Sequence, residues 1–294
     1  MTATSAMGET MPVDAVYPAG NDGLAALNTL EMGRFTGRDG AQFALELEQQ
    51  LRNVVIGGQP YYDIRLAGRG SASDARITGS ADSSVETRSE IGRERVCAQR
   101  NNKGNCTKYR NVEVRCTRRN VTLSFTVSVT GRRNERLYSA AKPLVGSELI
   151  CPRSNGVAPV DVVVAGLVAE AARELRFEFA PAQVALEVRV KEGTSGLQGK
   201  AKSTFKSAVK TVERNIADAC DMWAEVDYLV PDHAPTLFNL GLCAESDGDY
   251  DEAEAHYTQS AGLDRSERYV IEAIERLNKR RRADQQLAMQ ASRR

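Results

Sequence analysis

Six cysteines are the residues of this sequence best suited to chemistry, and their even number favours disulfides. The closest two flank Asn101-Asn102-Lys103-Gly104, which is typical of a tight turn, so that a hairpin would place them face to face. Two more lie in the same strand-rich region, and the last two fall on helices that we expect to be neighbours. The predicted pairs are Cys97 with Cys106, Cys116 with Cys151, and Cys220 with Cys243. Four cysteines in one region still allow three connectivities.

Zinc binding and buried free thiols are the alternatives to these disulfides. Structural zinc sites commonly use cysteines two residues apart, and no two cysteines here are so closely spaced. The histidines, His233 and His256, are far along the chain from the first four cysteines. Free cysteine is also among the most buried residue types. We favour disulfides and expect no metal ligands.

The cysteines and the N-terminal sequence point to different compartments. Disulfides persist in oxidising compartments, yet the first twenty residues have neither the basic nor the apolar region of a signal peptide. No stretch approaches the 18 apolar residues of a membrane-spanning helix. We expect a periplasmic or outer-membrane-associated protein whose leader is absent from this sequence, with a cytoplasmic location as the alternative.

A basic segment runs from Arg88 to Arg119, with ten basic and three acidic residues. Such a segment could contact the phosphates of nucleic acid or of acidic lipid. Its only aromatic residue is Tyr109, which leaves little for base stacking. We therefore expect a charged hairpin that is solvated or paired with a neighbouring subunit. Its candidate contact residues are Arg95, Arg100, Lys103, Lys108, Arg110, Arg115, Arg118 and Arg119.

We find no convincing sequence signature of an enzyme. The segment 194–201 superficially resembles a phosphate-binding loop, but Ala201 replaces the hydroxyl that would bind magnesium. No serine lies in a nucleophile-elbow context, and the strand-rich region has no histidine base. We expect no catalytic residue, no cofactor and no small-molecule substrate. With 39 basic and 39 acidic residues the net charge is zero, so nucleic acid is not the expected partner.

Hydrophobic periodicity predicts an α+β fold, with a mixed or antiparallel sheet covered by helices on one face and an all-helical region after it. Phe43, Leu47 and Leu51 share one face of a predicted helix. The segment 120–130 alternates as a strand, and 183–190 is expected to close the same sheet. The predicted organisation is an extended segment 1–23, an α+β domain of envelope type 24–192, a linker 193–203, helical repeats 204–283 and a basic tail 284–294.

The helical region contains a repeat of 34 residues. Ala219, Trp223 and Val226 align with Ala253, Tyr257 and Ser260, and the segment 234–264 resembles a tetratricopeptide repeat. The resemblance implies protein or peptide binding on a concave surface. It places Phe238, Asn239, Leu242 and Glu245 in that groove, where Asn239 would bond a peptide backbone or have a structural role.

The first domain resembles the periplasmic domain of the curli-secretion lipoprotein family. The residues that carry the resemblance are the helix 43–51, Tyr62-Asp63-Ile64 and the glycine-ended strand 75–79. No lipidation cysteine lies near the start and no barrel hairpin is evident, so a pore function is not transferred. We expect a non-enzymatic envelope assembly or scaffold protein that binds protein partners or neighbouring copies as a homo-oligomer or within a larger assembly. The alternative is a cytosolic adaptor whose basic hairpin binds nucleic acid or acidic lipid.

Overall fold

The computed structural model describes residues 8–66, 73–154, 156–263 and 267–293. The chain forms two compact units. We call residues 20–180 with 293–294 the sheet unit, and residues 1–19 with 181–292 the helical unit. The predicted α+β class is confirmed. The boundary differs from the predicted 192, because residues 181–192 belong to the helical unit.

The secondary-structure elements are as follows. In chain order they are β1 (Thr10–Tyr17), α1 (Asp22–Ala25), β2 (Thr29–Thr36), α2 (Gly40–Arg52), β3 (Val55–Ile56), β4 (Gln59–Pro60), β5 (Asp63–Leu66), β6 (Ala75–Arg100), β7 (Cys106–Gly131), β8 (Arg136–Ile150), α3 (Val160–Phe179), β9 (Ala182–Arg189), α4 (Gly199–Thr211), α5 (Ile216–Leu229), α6 (Ala234–Asp247), α7 (Tyr250–Leu263) and α8 (Glu267–Ala291).

The sheet unit is built on a five-stranded sheet in the order β5-β2-β6-β7-β8. β2 is parallel to both of its neighbours, while β6, β7 and β8 form an antiparallel meander. On β7 the alternating apolar residues 121, 123, 125, 127 and 129 are all buried, as their period of two predicts. Phe43 of α2 packs its ring against Phe125, so the helix covers the same face of the sheet.

Strands β6 and β7 are much longer than the sequence predicted. Each has 26 residues, and they pair from Ala75 with Gly131 as far as Arg100 with Cys106. The pairing of β7 with β8 ends at Thr117, so β6 and β7 continue beyond the sheet as a two-stranded ribbon of residues 89–117. Its twelve residues per strand span about 40 Å at roughly 3.4 Å per residue. We call this extension the ribbon.

A two-stranded antiparallel sheet of β1 and β9 belongs to the helical unit. Two predictions are corrected here. The segment 183–190 does not close the first sheet, since β9 pairs with β1 from Ala182 with Tyr17 to Arg189 with Thr10. The predicted extended segment 1–23 contains β1, in which Met11, Val13 and Ala15 alternate into the core.

The helices pack around Trp223 and Tyr257, which are both fully buried. Gly241 lets α6 approach α7 closely, because a Cβ there would lie 2.6 Å from the Tyr257 ring. This packing of small against aromatic residues agrees with the repeat pattern, although the assignment to tetratricopeptide repeats stays a prediction. α4 and α5 are separate helices, since Asn215 caps α5 by accepting from the Asp218 N–H at 3.2 Å.

The predicted linker and most of the predicted tail, as far as residue 292, belong to the helical unit. α4 begins inside the segment 193–203, where Leu197 and Ala201 are buried. α8 continues through most of the segment 284–294, and its Gln286 and Gln290 side chains are buried. The composition of both segments is polar, but one face of each packs on the core.

Candidate interaction surfaces

The groove residues that were expected to bind a partner lie inside the helical unit. Phe238, Asn239, Leu242 and Glu245 are at most 2% exposed. Phe238 and Leu242 belong to one apolar core with Met11, Val13 and Val190 of the two-stranded sheet region. None of the four side chains is available to a second molecule in this structure, which corrects the prediction.

Asn239 does bond an extended backbone, but this backbone is the protein's own. Its Oδ1 accepts from the Lys191 N–H at 2.8 Å, and its Nδ2 donates to the Lys191 carbonyl at 2.9 Å. Lys191 follows β9, so the strand's end lies where the resemblance placed a bound peptide. The groove is filled by the chain itself.

Glu245 is the centre of a buried charge network. Arg276 donates to both of its carboxylate oxygens at 2.6 Å, and Arg280 donates to its backbone carbonyl at 2.7 Å. The hydroxyl of Tyr257 donates to the same carboxylate at 2.8 Å. Burial, and next the charge of Glu245, raises the pKa of Tyr257 well above its usual value. The network joins α6, α7 and α8 and has a structural role.

All six cysteines form disulfides, in the pairs that the sequence analysis favours. Cys97 joins Cys106, Cys116 joins Cys151 and Cys220 joins Cys243, and no cysteine is free. The first bond links the two strands of the ribbon close to its turn. The second ties β7 to the residue that follows β8, at the base of the ribbon. The third joins helices α5 and α6 of the helical unit.

The ribbon carries most of the predicted basic residues in exposed positions. Arg118 and Arg119 differ, because they lie at its base and are ion-paired with Glu90 at 2.5 Å and Glu148 at 2.7 Å. The hydrogen bonds from Arg118 hold the pKa of Glu90 below its usual value. The exposed members of the predicted set are Arg95, Arg100, Lys103, Lys108, Arg110 and Arg115.

One face of the ribbon combines cations with exposed apolar side chains. Ile91 is 70% exposed and Tyr109 is 49% exposed, and the guanidinium of Arg95 lies 4.1 Å from the centre of the Tyr109 ring. Arg93 and Arg115 are exposed on the same face, since residues two apart on a strand point to one side. Sequence reasoning missed Arg93 and Ile91 as members of this face. The register of β6 on β7 is what shows them.

Two negative findings apply to the described part of the chain. Within residues 8–66, 73–154, 156–263 and 267–293, no group of three or more His, Cys, Asp or Glu side chains is placed to hold a metal ion. Over the same ranges no helix has the length and hydropathy needed to cross a membrane.

Comparison with known proteins finds similarity to two solved structures among others. A dodecamer of PelC from Paraburkholderia phytofirmans is 15% identical at a TM-score of 0.25, over 57% of this chain and 98% of that chain. A homologue of a neuraminyllactose-binding hemagglutinin from Helicobacter pylori is 8% identical at a TM-score of 0.28, over 51% and 79%. No family model matches the sequence, and no curated protein matches it. Identity and TM-score are low in both structures, so no residue role is transferred.

Proposed function

We propose that the protein is a non-enzymatic assembly or scaffold protein of the cell envelope that binds protein partners or neighbouring copies. The observation that carries the proposal is the complete pairing of its six cysteines. Disulfides in this number form and persist outside the reducing cytosol. This chemistry supports the periplasmic or outer-membrane-associated location that we propose.

The ribbon is the surface that we assign to binding. It extends beyond the sheet, carries strand edges that pair with no other strand in the described part of the chain, and is braced by disulfides near its turn and at its base. Exposed edges and exposed apolar side chains rimmed by charge are features of interaction surfaces. The repeat-like helices contribute a rigid scaffold, since their groove holds the chain's own strand.

The two histidines support a non-enzymatic function. His233 caps α6, with its Nδ1 bonded to the Thr236 hydroxyl at 2.7 Å, and burial lowers its pKa. The Nε2 of His256 lies 3.7 Å from Glu252, one turn earlier on the same helix. The hydroxyl that His233 contacts belongs to the fully buried Thr236, and His256 faces a carboxylate, so these contacts support a structural role for both histidines.

The experiment that tests this proposal is a count of free thiols in the full chain by mass spectrometry. The protein is denatured without reductant and alkylated, and a reduced sample serves as the control. We expect no alkylated cysteine before reduction and six after it. Six free thiols in the unreduced protein would overturn both the disulfides and the envelope location.

A further inference from the structure

The zero net charge of the chain conceals two oppositely charged units. The sheet unit has 25 Lys and Arg against 18 Asp and Glu, a net charge of +7. The helical unit has 14 against 21, a net charge of −7. Fields of this size steer association and select its orientation.

The positive charge of the sheet unit is concentrated on the ribbon, where its cations are free to act. Arg93, Arg95 and Arg115 are exposed and form no ion pair with any residue that the structure describes. Ile91 and Tyr109 lie beside them on the same face. The face therefore combines positive charge with apolar area that is exposed to solvent.

The negative charge of the helical unit is concentrated on residues 213–263, which contain twelve Asp and Glu and one Arg. Asp218 and Asp221 are exposed one turn apart on α5. On α7 the side chains of Asp251 and Glu252 are 96% and 60% exposed. We call α5 and α7 the acidic helices.

We propose that the ribbon of one copy docks on the acidic helices of a second copy. The proposal rests on the proposed function and names the partner as the chain itself. A contact of ribbon with ribbon, or of acidic helix with acidic helix, would bring like charges together, and like charges repel. Ribbon against acidic helices is the arrangement that brings the opposite charges together, and both a reciprocal two-fold contact and a head-to-tail contact contain it.

The first test compares charge reversals by sedimentation velocity of the full, oxidised chain. The ribbon variant carries Arg93→Glu, Arg95→Glu and Arg115→Glu. The control variant carries Arg34→Glu, Arg133→Glu and Arg173→Glu, three exposed arginines of the same unit outside the ribbon. We expect wild type and control to self-associate at about 20 mM salt and to dissociate at about 300 mM. We expect the ribbon variant to self-associate about tenfold more weakly or worse.

The second test is a charge swap, which also excludes loss of folding as the explanation. The helix variant carries Asp218→Lys, Asp221→Lys and Glu252→Lys. Each variant alone should self-associate about tenfold more weakly than wild type or worse, whereas their mixture should associate, because each offers the charge that the other has lost. Failure of the mixture to associate, or equal weakening by ribbon and control reversals, would overturn the proposal.

A wild-type chain that stays monomeric at low salt would also overturn the docking of copies. The thiol count separates that result from failure of the proposed function, since fully paired cysteines with a monomeric chain leave an envelope protein with a different partner. Anionic vesicles and a single-stranded oligonucleotide are the matched probes in that case. Binding of either by wild type and not by the ribbon variant would assign the ribbon to that ligand instead.

Discussion

Asn239 and Lys191 are joined by two hydrogen bonds, so that one carboxamide holds both backbone groups of one extended residue. Gln286 makes the same arrangement with Ala19, accepting from its N–H at 2.8 Å and donating to its carbonyl at 3.1 Å. Ala19 and Lys191 are each the second residue after a strand, β1 and β9 respectively. Each strand of the two-stranded sheet is thus bonded to a helix just after its last residue. The sheet is therefore an integral part of the helical unit.

Replacement of Asn239 by leucine should loosen the end of β9. The change removes the Asn239 carboxamide that bonds the N–H and the carbonyl of Lys191, which costs about 2–4 kcal/mol of unfolding free energy. We expect faster amide exchange at Lys191, measured by hydrogen–deuterium exchange with mass spectrometry. Gln259→Leu is the matched control, because Gln259 is exposed and bonds the exposed Asp232. Equal protection of Lys191 in both variants would contradict the assignment.

Glu245→Gln should destabilise the helical unit strongly. The variant leaves Arg276 and Arg280 buried without a counter-charge, and breaking a buried ion pair in this way costs about 3–5 kcal/mol. Glu254→Gln is the control, since Glu254 pairs with Arg281 at a 43% exposed position and should cost about 1 kcal/mol or less. Urea unfolding followed by circular dichroism measures both. Similar midpoints for the two variants would show that the network contributes little.

The sequence predicted the elements whose side chains alternate with a clear period. Phe43, Leu47 and Leu51 are buried on α2 as their spacing requires, and the even cysteine count is matched by three disulfides. The ribbon was underestimated because its strands are rich in arginine and show no apolar alternation. Backbone hydrogen bonds of the hairpin hold it together, and these leave little trace in composition.

The pairing of β1 with β9 could not be predicted from either segment. An alternating segment indicates a strand but does not identify the strand that it pairs with. About 165 residues separate these two strands. The lack of information about contact partners also explains why the groove residues were wrongly expected to bind a second molecule. A resemblance identified the position of Asn239 on its helix, whereas only the structure shows that the chain's own strand lies against it.

Lowering the pH should destabilise the sheet unit, because it protonates the carboxylate of Asp74. Burial favours its neutral form, but the N–H groups of Asn28 and Thr29, both at 2.9 Å, and the charge of Arg132 outweigh burial and lower its pKa. A carboxyl whose pKa is lower in the folded state stabilises the fold above its unfolded pKa of 3.8 and loses this contribution as the pH falls through the folded pKa. We expect Asp74→Asn to cost about 1–3 kcal/mol at neutral pH.

The measurement for Asp74 is the free energy of unfolding from about pH 6 down to about pH 2.5. Wild type should lose stability over this range, and the difference between wild type and Asp74→Asn should shrink as the pH falls. A difference that stays constant over the whole range would show that the carboxylate charge is not what stabilises this corner of the sheet.

Gly92 lies beneath the disulfide at the base of the ribbon, and alanine there should destabilise the sheet unit. Its Cβ would lie 2.4 Å from the Sγ of Cys116 and 3.1 Å from that of Cys151, which forces a shift that costs about 1–3 kcal/mol. The cost should largely vanish in a background with Cys116→Ser and Cys151→Ala, because the smaller side chains leave room for the methyl group. Thermal unfolding of the four variants of this cycle measures the coupling.

Gly166→Ala in α3 is the matched control. Apart from its chain neighbours and the backbone of its own helix, no described atom lies within 4 Å of the added methyl there, so alanine should stabilise the helix by about 0.5–1 kcal/mol. A cost for Gly92→Ala that is the same with and without the disulfide would contradict the steric explanation.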